Sequence, residues 1–272
     1  MPWPASKTAW QTTRISLWAS GLFQVVAYFV LALPSLVIIG ASFNSSNVIN
    51  FPPQGLTLAW YAKAMTTPVF TDSLFLSVEL AVIATMLSLL AGTPAAYALA
   101  RYRLPGLQAV QSLLLSPIVM PAVVLGIGLL MFCNLIGVGQ GLFGLVLGHF
   151  VITLPYVVRT LISSFSLFDV VLEEAAQSLR ASPPVVWFRV ILPNIVPGLL
   201  SAAIFAFVTS FGNVALSIFL VNGDAATLPV QMFAAVEHSS DPTLAAVASV
   251  VIFVTATIVL CIDRLAGLQR LV

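Results

Sequence analysis

Six apolar runs, each long enough to cross a lipid bilayer, decide what this chain can become. They cover, roughly, residues 17–43, 73–100, 108–133, 141–164, 195–221 and 243–262. A helix needs about 20 predominantly apolar residues to traverse the hydrocarbon. Of the 272 residues, 60% are hydrophobic and 7% charged, whereas soluble domains carry roughly 25% charged residues. No globular core of this size would absorb so much apolar surface, so the bilayer is the solvent. A barrel would need alternating strands of about ten residues, which are absent. The expectation is an all-α membrane protein, one transmembrane domain over 1–272 with six spanning helices. The first run follows Lys7 and Arg14. It far exceeds the ~7–15-residue apolar core of a signal peptide, so it reads as an uncleaved span.

Basic residues orient the spans. Lys7 and Arg14 precede the first, and Arg101 and Arg103 follow the second. Arg159, Arg180 and Arg189 lie in or beside the loop after the fourth, and Arg264 and Arg270 follow the sixth. All of these fall on one side of a six-span arrangement, and Lys63 alone falls on the other. Both termini and the 165–194 loop are therefore expected in the cytoplasm, with 44–72 and 222–242 outside. Pro34, Pro94, Pro117, Pro121, Pro155 and Pro197 lie in or near the spans. Each removes a backbone donor and favours a kink. Cys133 and Cys261 sit in apolar runs and read as small buried hydrophobes.

The polar stretch Glu173–Pro193, EEAAQSLRASPPVVWFRVILP, is out of character with the rest. Asp169 suits a helix N-cap, and Glu173 and Glu174 oppose the positive end of the helix dipole. Leu172, Ala175, Ala176 and Leu179 form an apolar stripe at helical spacing. Ser182 and Pro183 suit the start of a second helix, with Val185, Phe188 and Leu192 on its apolar face. The pattern predicts a helix–turn–helix hairpin along the membrane. By itself it leaves open whether the hairpin docks a partner or only links two spans.

Chemistry-bearing groups are few. The lysines are Lys7 and Lys63, and no Gly-rich phosphate cradle is present, so the chain cannot hydrolyse ATP alone. No catalytic pair, nucleophile motif or metal-ligand spacing appears. Intramembrane polar groups mark candidate pathways. Glu79 lies about two turns inside the second span. His149 in the fourth fits a satisfied packing residue better than a proton relay. Ser210, Asn213 and Ser217 recur at helical spacing and form a face that either lines a cavity or bonds across helices. Glu237, His238 and Asp241 belong to the last outer loop, as contacts for a partner, part of a gate, or plain solvated groups. Trp60 and Tyr61 suit an interfacial anchor.

Taken together these residues resemble the EAA loop of type I ABC importer permeases. Glu174-Ala175-Ala176 matches its opening, Phe188, Val190 and Leu192-Pro193 its second half, and Pro197-Gly198 the next span. The run from Gly92 to Arg103, the segment Pro155–Thr160 and Leu228-Pro229-Val230 look like the polyamine-type branch. The resemblance implies that fold, with a cytoplasmic EAA coupling hairpin. It implies a pore-forming subunit of the bacterial inner membrane that is not itself an enzyme and binds no cofactor. ATP and Mg would be bound by two cytoplasmic ATPase subunits. A second permease, a different chain, and an extracytoplasmic solute-binding protein complete the expected partners, alongside the small-molecule solute and membrane lipid, with no nucleic acid. The implied ATPase-coupling residues are Glu173, Glu174, Ala175, Ala176, Leu179, Arg180, Ala181 and Phe188. The implied pathway residues are Ser210, Gly212, Asn213, Ser217 and Glu79.

Two positions depart from the family. Arg180 replaces the turn glycine; the turn either changes shape or keeps a left-handed residue at a cost of roughly 1–2 kcal/mol. An alternative role for Arg180 is pairing with an acid on the ATPase. Gly212 stands where the polyamine branch carries an acid. The solute is thus expected to be polyamine-like or a related amino-acid or phosphonate compound. The competing reading is an ion-coupled secondary transporter working without an ATPase. Such proteins usually have repeat halves and intramembrane ion-binding groups, and this chain shows neither clearly.

Overall fold

The computed structural model describes residues 7–223, 226–238 and 241–266. The side chains of Lys7, Arg14, His238 and Arg270, invoked above, lie outside the described residues. The helices are α1 (Lys7–Ser42), α2 (Ala59–Thr66), α3 (Pro68–Arg101), α4 (Leu107–Val119), α5 (Ala122–Leu135), α6 (Leu142–Leu167), α7 (Val170–Ser178), α8 (Pro183–Val186), α9 (Leu192–Phe211), α10 (Ser217–Leu220), α11 (Leu228–His238) and α12 (Thr243–Ala266). A π-helical turn, Trp187–Ile191, joins α8 to α9. The chain divides into two compact units. One holds α1, the 43–58 segment, most of α2 and the first part of α12. The other holds α3 to α11 and the rest of α12.

Among the described residues, five helices are long and apolar enough to span a membrane: Gly21–Ser42, Pro68–Arg101, Leu142–Leu167, Pro183–Phe211 and Thr243–Cys261. The third expected span, 108–133, is not continuous. It is a broken pair, α4 and α5, bent by 109°. Met120, between them, has ψ 137°, because the ring of Pro121 disfavours helical backbone in the residue before it. The fifth span also differs. It starts earlier, since α8, the π turn and α9 run on from Pro183, and it ends at Phe211 rather than 221. Pro193 lies within this run instead of bounding it. Proline lacks the N–H that would reach the carbonyl four residues back, and the Leu192 N–H bonds Trp187 O five residues back. The expected outer loop 222–242 contains α11.

In the larger unit α3, α6 and α9 pack on one another. Ser77, Ala81, Ala84, Ser88, Gly92 and Ala96 line the buried face of α3. Small residues let helix backbones approach closely where lipid supplies no hydrophobic drive. A Cβ at Gly92 would lie 2.7 Å from Val157 Cγ1, so only glycine fits there without a shift. Ser88 Oγ and Thr153 Oγ1 are hydrogen-bonded at 2.7 Å across the α3–α6 contact. The core below them contains Val157, Leu161, Phe165, Ile195, Ala202 and Ala206. A second cluster, Leu80, Leu145, Ile152, Leu216 and Leu220, is closed by α10. The Leu228 N–H donates to Ser77 Oγ at 2.7 Å and ties α11 to α3.

In the smaller unit, fully buried Asn44 organises the segment after α1. Its Oδ1 accepts from the N–H of Gln54 at 3.0 Å, and its carbonyl accepts from Trp60 Nε1 at 2.7 Å. Tyr61 OH pairs with Ser42 Oγ at 2.6 Å. Trp60 and Tyr61 thus fasten α2 to the end of α1. Asp241 has a structural use as well. Its Oδ1 accepts from the Thr243 N–H at 2.9 Å at the start of α12, and its Oδ2 accepts from Lys63 Nζ at 2.6 Å. Partial burial pushes this carboxyl upward, but the Lys63 and Thr243 hydrogen bonds outweigh it and hold the pKa below its ordinary 3.8. A carboxylate depressed on folding stabilises above its unfolded pKa and loses that contribution as pH falls through the folded value. The melting-temperature gap between wild type and Asp241→Asn should therefore be constant at neutral pH. It should close as the pH is taken below 3.8, read by scanning fluorimetry of the detergent-solubilised protein.

Candidate functional site

The hairpin after α6 is built from local rules. Asp169 Oδ1 accepts from the Val171 N–H at 3.0 Å and caps α7, as expected. Ser182 precedes Pro183 and Pro184, and its hydroxyl makes no capping bond. Two consecutive prolines leave few free N–H groups for it to reach. The second arm is not a separate surface helix, because it continues through the π turn into α9. The hairpin is thus one short helix, α7, folded back on the root of a spanning helix.

The two glutamates of α7 have opposite roles. Glu173 points inward and is 9% exposed. Its Oε1 accepts from Tyr97 OH at 2.6 Å, and its Oε2 faces Arg101 Nε at 3.6 Å. Arg101 also donates from Nη2 to Phe168 O at 3.4 Å, and its guanidinium lies over the Phe168 ring. Tyr97 meets Phe165 and Trp187 edge-on, with centroids 5.4 and 5.3 Å apart. Glu173, expected to contact an ATPase, is instead the bolt that fastens α7 to the end of α3. Tyr97, Arg101 and Trp187 were missed as site residues. Their signal was present: Tyr97 and Arg101 are four residues apart on α3, at the end nearest the hairpin. Glu174 and Ala175 are exposed, and Ala176 and Ala181 pack partly against the core. Leu179 is 84% and Phe188 65% exposed, and Val171 and Leu172 are exposed as well.

Arg180 keeps the left-handed turn. Its φ is 59°, the one positive value outside glycine among the described residues. The Arg180 N–H bonds Gln177 O at 2.9 Å, and the Ala181 N–H bonds Ala176 O at 3.1 Å. These are the paired bonds of a Schellman helix end, which glycine ordinarily completes. The reading in which arginine forces a different turn is excluded. The side chain is exposed.

The expected pathway face does not form. Ser210 lies in the last turn of α9, Gly212 and Asn213 lie in the connection beyond it, and Ser217 begins α10. Ser210 and Ser217 are buried and clamp His149 at 2.7 and 2.9 Å from its two ring nitrogens. Ser217 Oγ donates to Asn213 O at 2.8 Å. It therefore accepts from Nε2–H, and Nδ1 accepts from Ser210. His149 is the satisfied packing residue the sequence favoured. Asn213 Oδ1 accepts from the Leu216 N–H at 2.9 Å and shapes the turn into α10. Gly212 and Glu79 are exposed. Among the described residues no cluster of metal-ligating side chains occurs.

The profile of the family described as binding-protein-dependent transport system inner membrane component matches residues 88–270. The chain is 30% identical over 247 residues to the spermidine/putrescine transport system permease protein PotC of Escherichia coli (strain K12), which covers 90% of this chain and 93% of that protein. It is 28% identical over 235 residues to the putrescine transport system permease protein PotI of the same strain, over 84% and 83% of the two chains. Among solved structures, a bacterial ABC transporter involved in the import of the acidic polysaccharide alginate matches with a TM-score of 0.69 at 16% identity, over 99% of both chains. The methionine ABC transporter MetNI in an inward-facing conformation matches with a TM-score of 0.61 at 19% identity, over 72% and 94%. These two structures speak for the fold alone.

Two outcomes separate the buried glutamate from the exposed one. Glu173→Ala strands Tyr97 OH and the Arg101 charge and should cost about 3 kcal/mol, whereas exposed Glu174→Ala should stay within about 0.5 kcal/mol; thermal denaturation of the purified protein distinguishes them. Arg180→Gly relieves roughly 1–2 kcal/mol of left-handed strain against about 0.5–1 kcal/mol of added chain entropy, so its melting temperature should rise by the equivalent of about 1 kcal/mol.

Proposed function

We propose, because the chain belongs to the family of binding-protein-dependent transport system inner membrane components, that it is the multi-pass permease subunit of an ATP-driven importer of a small polar solute. The α7 hairpin docks in a groove on a cytoplasmic ATPase subunit. Glu174 meets a basic group there, while Ala175, Leu179 and Phe188 supply the apolar contact. The observation that carries this reading is a contrast within the hairpin. Glu173 on α7 is bolted to α3, whereas Glu174 on the same helix, Leu179 at its end and Phe188 on the π turn are exposed. An element fixed on one side and apolar on the other passes motion from a partner to the spanning helices.

ATP and Mg are bound by two such ATPase subunits, and this chain supplies no catalytic group. A second, distinct permease completes the pathway, and a solute-binding protein delivers the solute from outside. The distribution of basic residues supports a cytoplasmic location for both termini and the hairpin. The relatives named for spermidine and putrescine support a polyamine-like solute. Gly212, where that branch carries an acid, leaves room for a related amino-acid or phosphonate compound. The family supports a partner ATPase as the energy source, which sets aside the ion-coupled alternative.

The test is to co-express the chain with its neighbours, reconstitute the assembly, and find which solute with its binding protein accelerates ATP hydrolysis. Leu179→Asp with Phe188→Asp should lower the co-purified ATPase about tenfold, a change of about 1.4 kcal/mol, with the melting temperature of the isolated chain unchanged. Undiminished co-purification would place the docking face elsewhere.

A further inference from the structure

We propose that the groove between α6 and α9 binds an anionic group, a carboxylate, phosphonate or phosphate, through Arg159. The groove has a volume of about 510 Å³, and its walls include Tyr156, Arg159, Thr160 and Ser163 from α6 and Ser201 and Phe205 from α9. Positions 156, 159, 160 and 163 follow the i, i+3, i+4, i+7 spacing of one helix face. A Cβ at Gly198 would collide with the Ser164 hydroxyl, so the two helices meet at the floor.

The hydrogen-bond inventory of the groove is lopsided. Ser164 Oγ donates to Thr160 O at 3.1 Å and Ser201 Oγ to Pro197 O at 2.9 Å, so both hydroxyl protons are spent on backbone. The side chains of Arg159, Thr160 and Ser163 bond no described residue. Arg159 is exposed on the ridge between this groove and a second cavity of about 310 Å³ toward α4. Arg159 lies eight residues before the end of α6, and an arginine there is received by a partner, by a water-filled cavity or by the interface its side chain reaches. Its planar fork matches the paired oxygens of a carboxylate or phosphonate, and two uncommitted hydroxyls on the same stripe complete a donor set. Among the groove's walls no carboxylate stands ready for a cation.

This inference rests on the importer reading and sharpens its solute class. A zwitterionic amino-acid derivative or a phosphonate carries the group Arg159 needs, whereas a purely cationic diamine does not. An anionic lipid headgroup offers the same chemistry from another source.

The test uses the whole assembly in maltoside detergent, which contains no phosphate. The rate of Arg159 modification by phenylglyoxal is followed by peptide mass spectrometry. Methylphosphonate should slow it about tenfold and putrescine should not. Thr160→Val with Ser163→Ala should raise the methylphosphonate concentration needed by about tenfold. Equal protection in nanodiscs containing phosphatidylglycerol, without added methylphosphonate, would assign the anion to the lipid and support the shared chemistry. An unchanged rate under every condition, protection by putrescine instead, or an Arg159 unreactive throughout because a partner side chain holds it, would overturn the proposal. Binding-protein-stimulated ATP hydrolysis is measured in the same samples. If it persists without protection, only the anion site fails; if it is absent, the importer reading fails.

Discussion

Close approach of backbones is the constraint on which the larger unit depends. Between helices in lipid there is little hydrophobic gain, because a leucine side chain meets acyl chains or a neighbouring helix with similar energy. Association then rests on dispersion contacts and hydrogen bonds over a short distance. The small-residue face of α3 makes this possible, and Gly92 against Val157 marks its tightest point. Ser88 with Thr153, and Ser77 with the Leu228 N–H, add bonds that exist only because the helices are this near. The large apolar side chains are largely displaced outward. Phe75 and Leu90 on α3 and Met131 on α5 are exposed, as the bilayer requires and water would penalise.

That packing gives the hairpin something rigid to hold. α7 contains 9 residues, too short to persist as an isolated helix in water. Its order comes from the cap at Asp169, the paired bonds at Arg180 and the Glu173 attachment. The attachment is polar but dry. Arg101 Nε and Glu173 Oε2 are both buried, 3.6 Å apart, and neither has a hydrogen-bond partner. A pair of this kind contributes little net stability compared with apolar packing, yet removing one member leaves a bare charge. Its value here is positional. It fixes which face of α7 is presented outward.

The apolar runs were legible because membrane spans are written in composition, and the hairpin because its cap, stripe and prolines are local signals. What escaped the sequence depended on direction. Adjacent residues of a helix point about 100° apart, so Glu173 and Glu174 cannot share a role, but only the placement of α3 decides which turns inward. Ser210, Asn213 and Ser217 have helical spacing, yet α9 stops at Phe211 and the three never share a helix face. The break at Met120 was signalled by Pro121, but proline is common inside membrane helices and is often absorbed. The burial of Ser210 and Ser217 around His149 leaves a different set of polar groups for any ligand.

The distinction between those two sets is one of accounting for donors. Around His149 each ring nitrogen and each hydroxyl has a partner inside the fold, so the cluster serves as glue between α6, α9 and α10. Such a group cannot accept a ligand without breaking an existing bond in low dielectric, where the loss is greatest. Along Tyr156, Arg159, Thr160 and Ser163 the opposite holds. The charge is present, the fold leaves it uncommitted, and a groove lies in front of it. Polarity within a membrane helix therefore does not by itself mark a pathway. Polarity that the fold has not already satisfied is the better marker, and the unsatisfied donors run along α6 rather than through the end of α9.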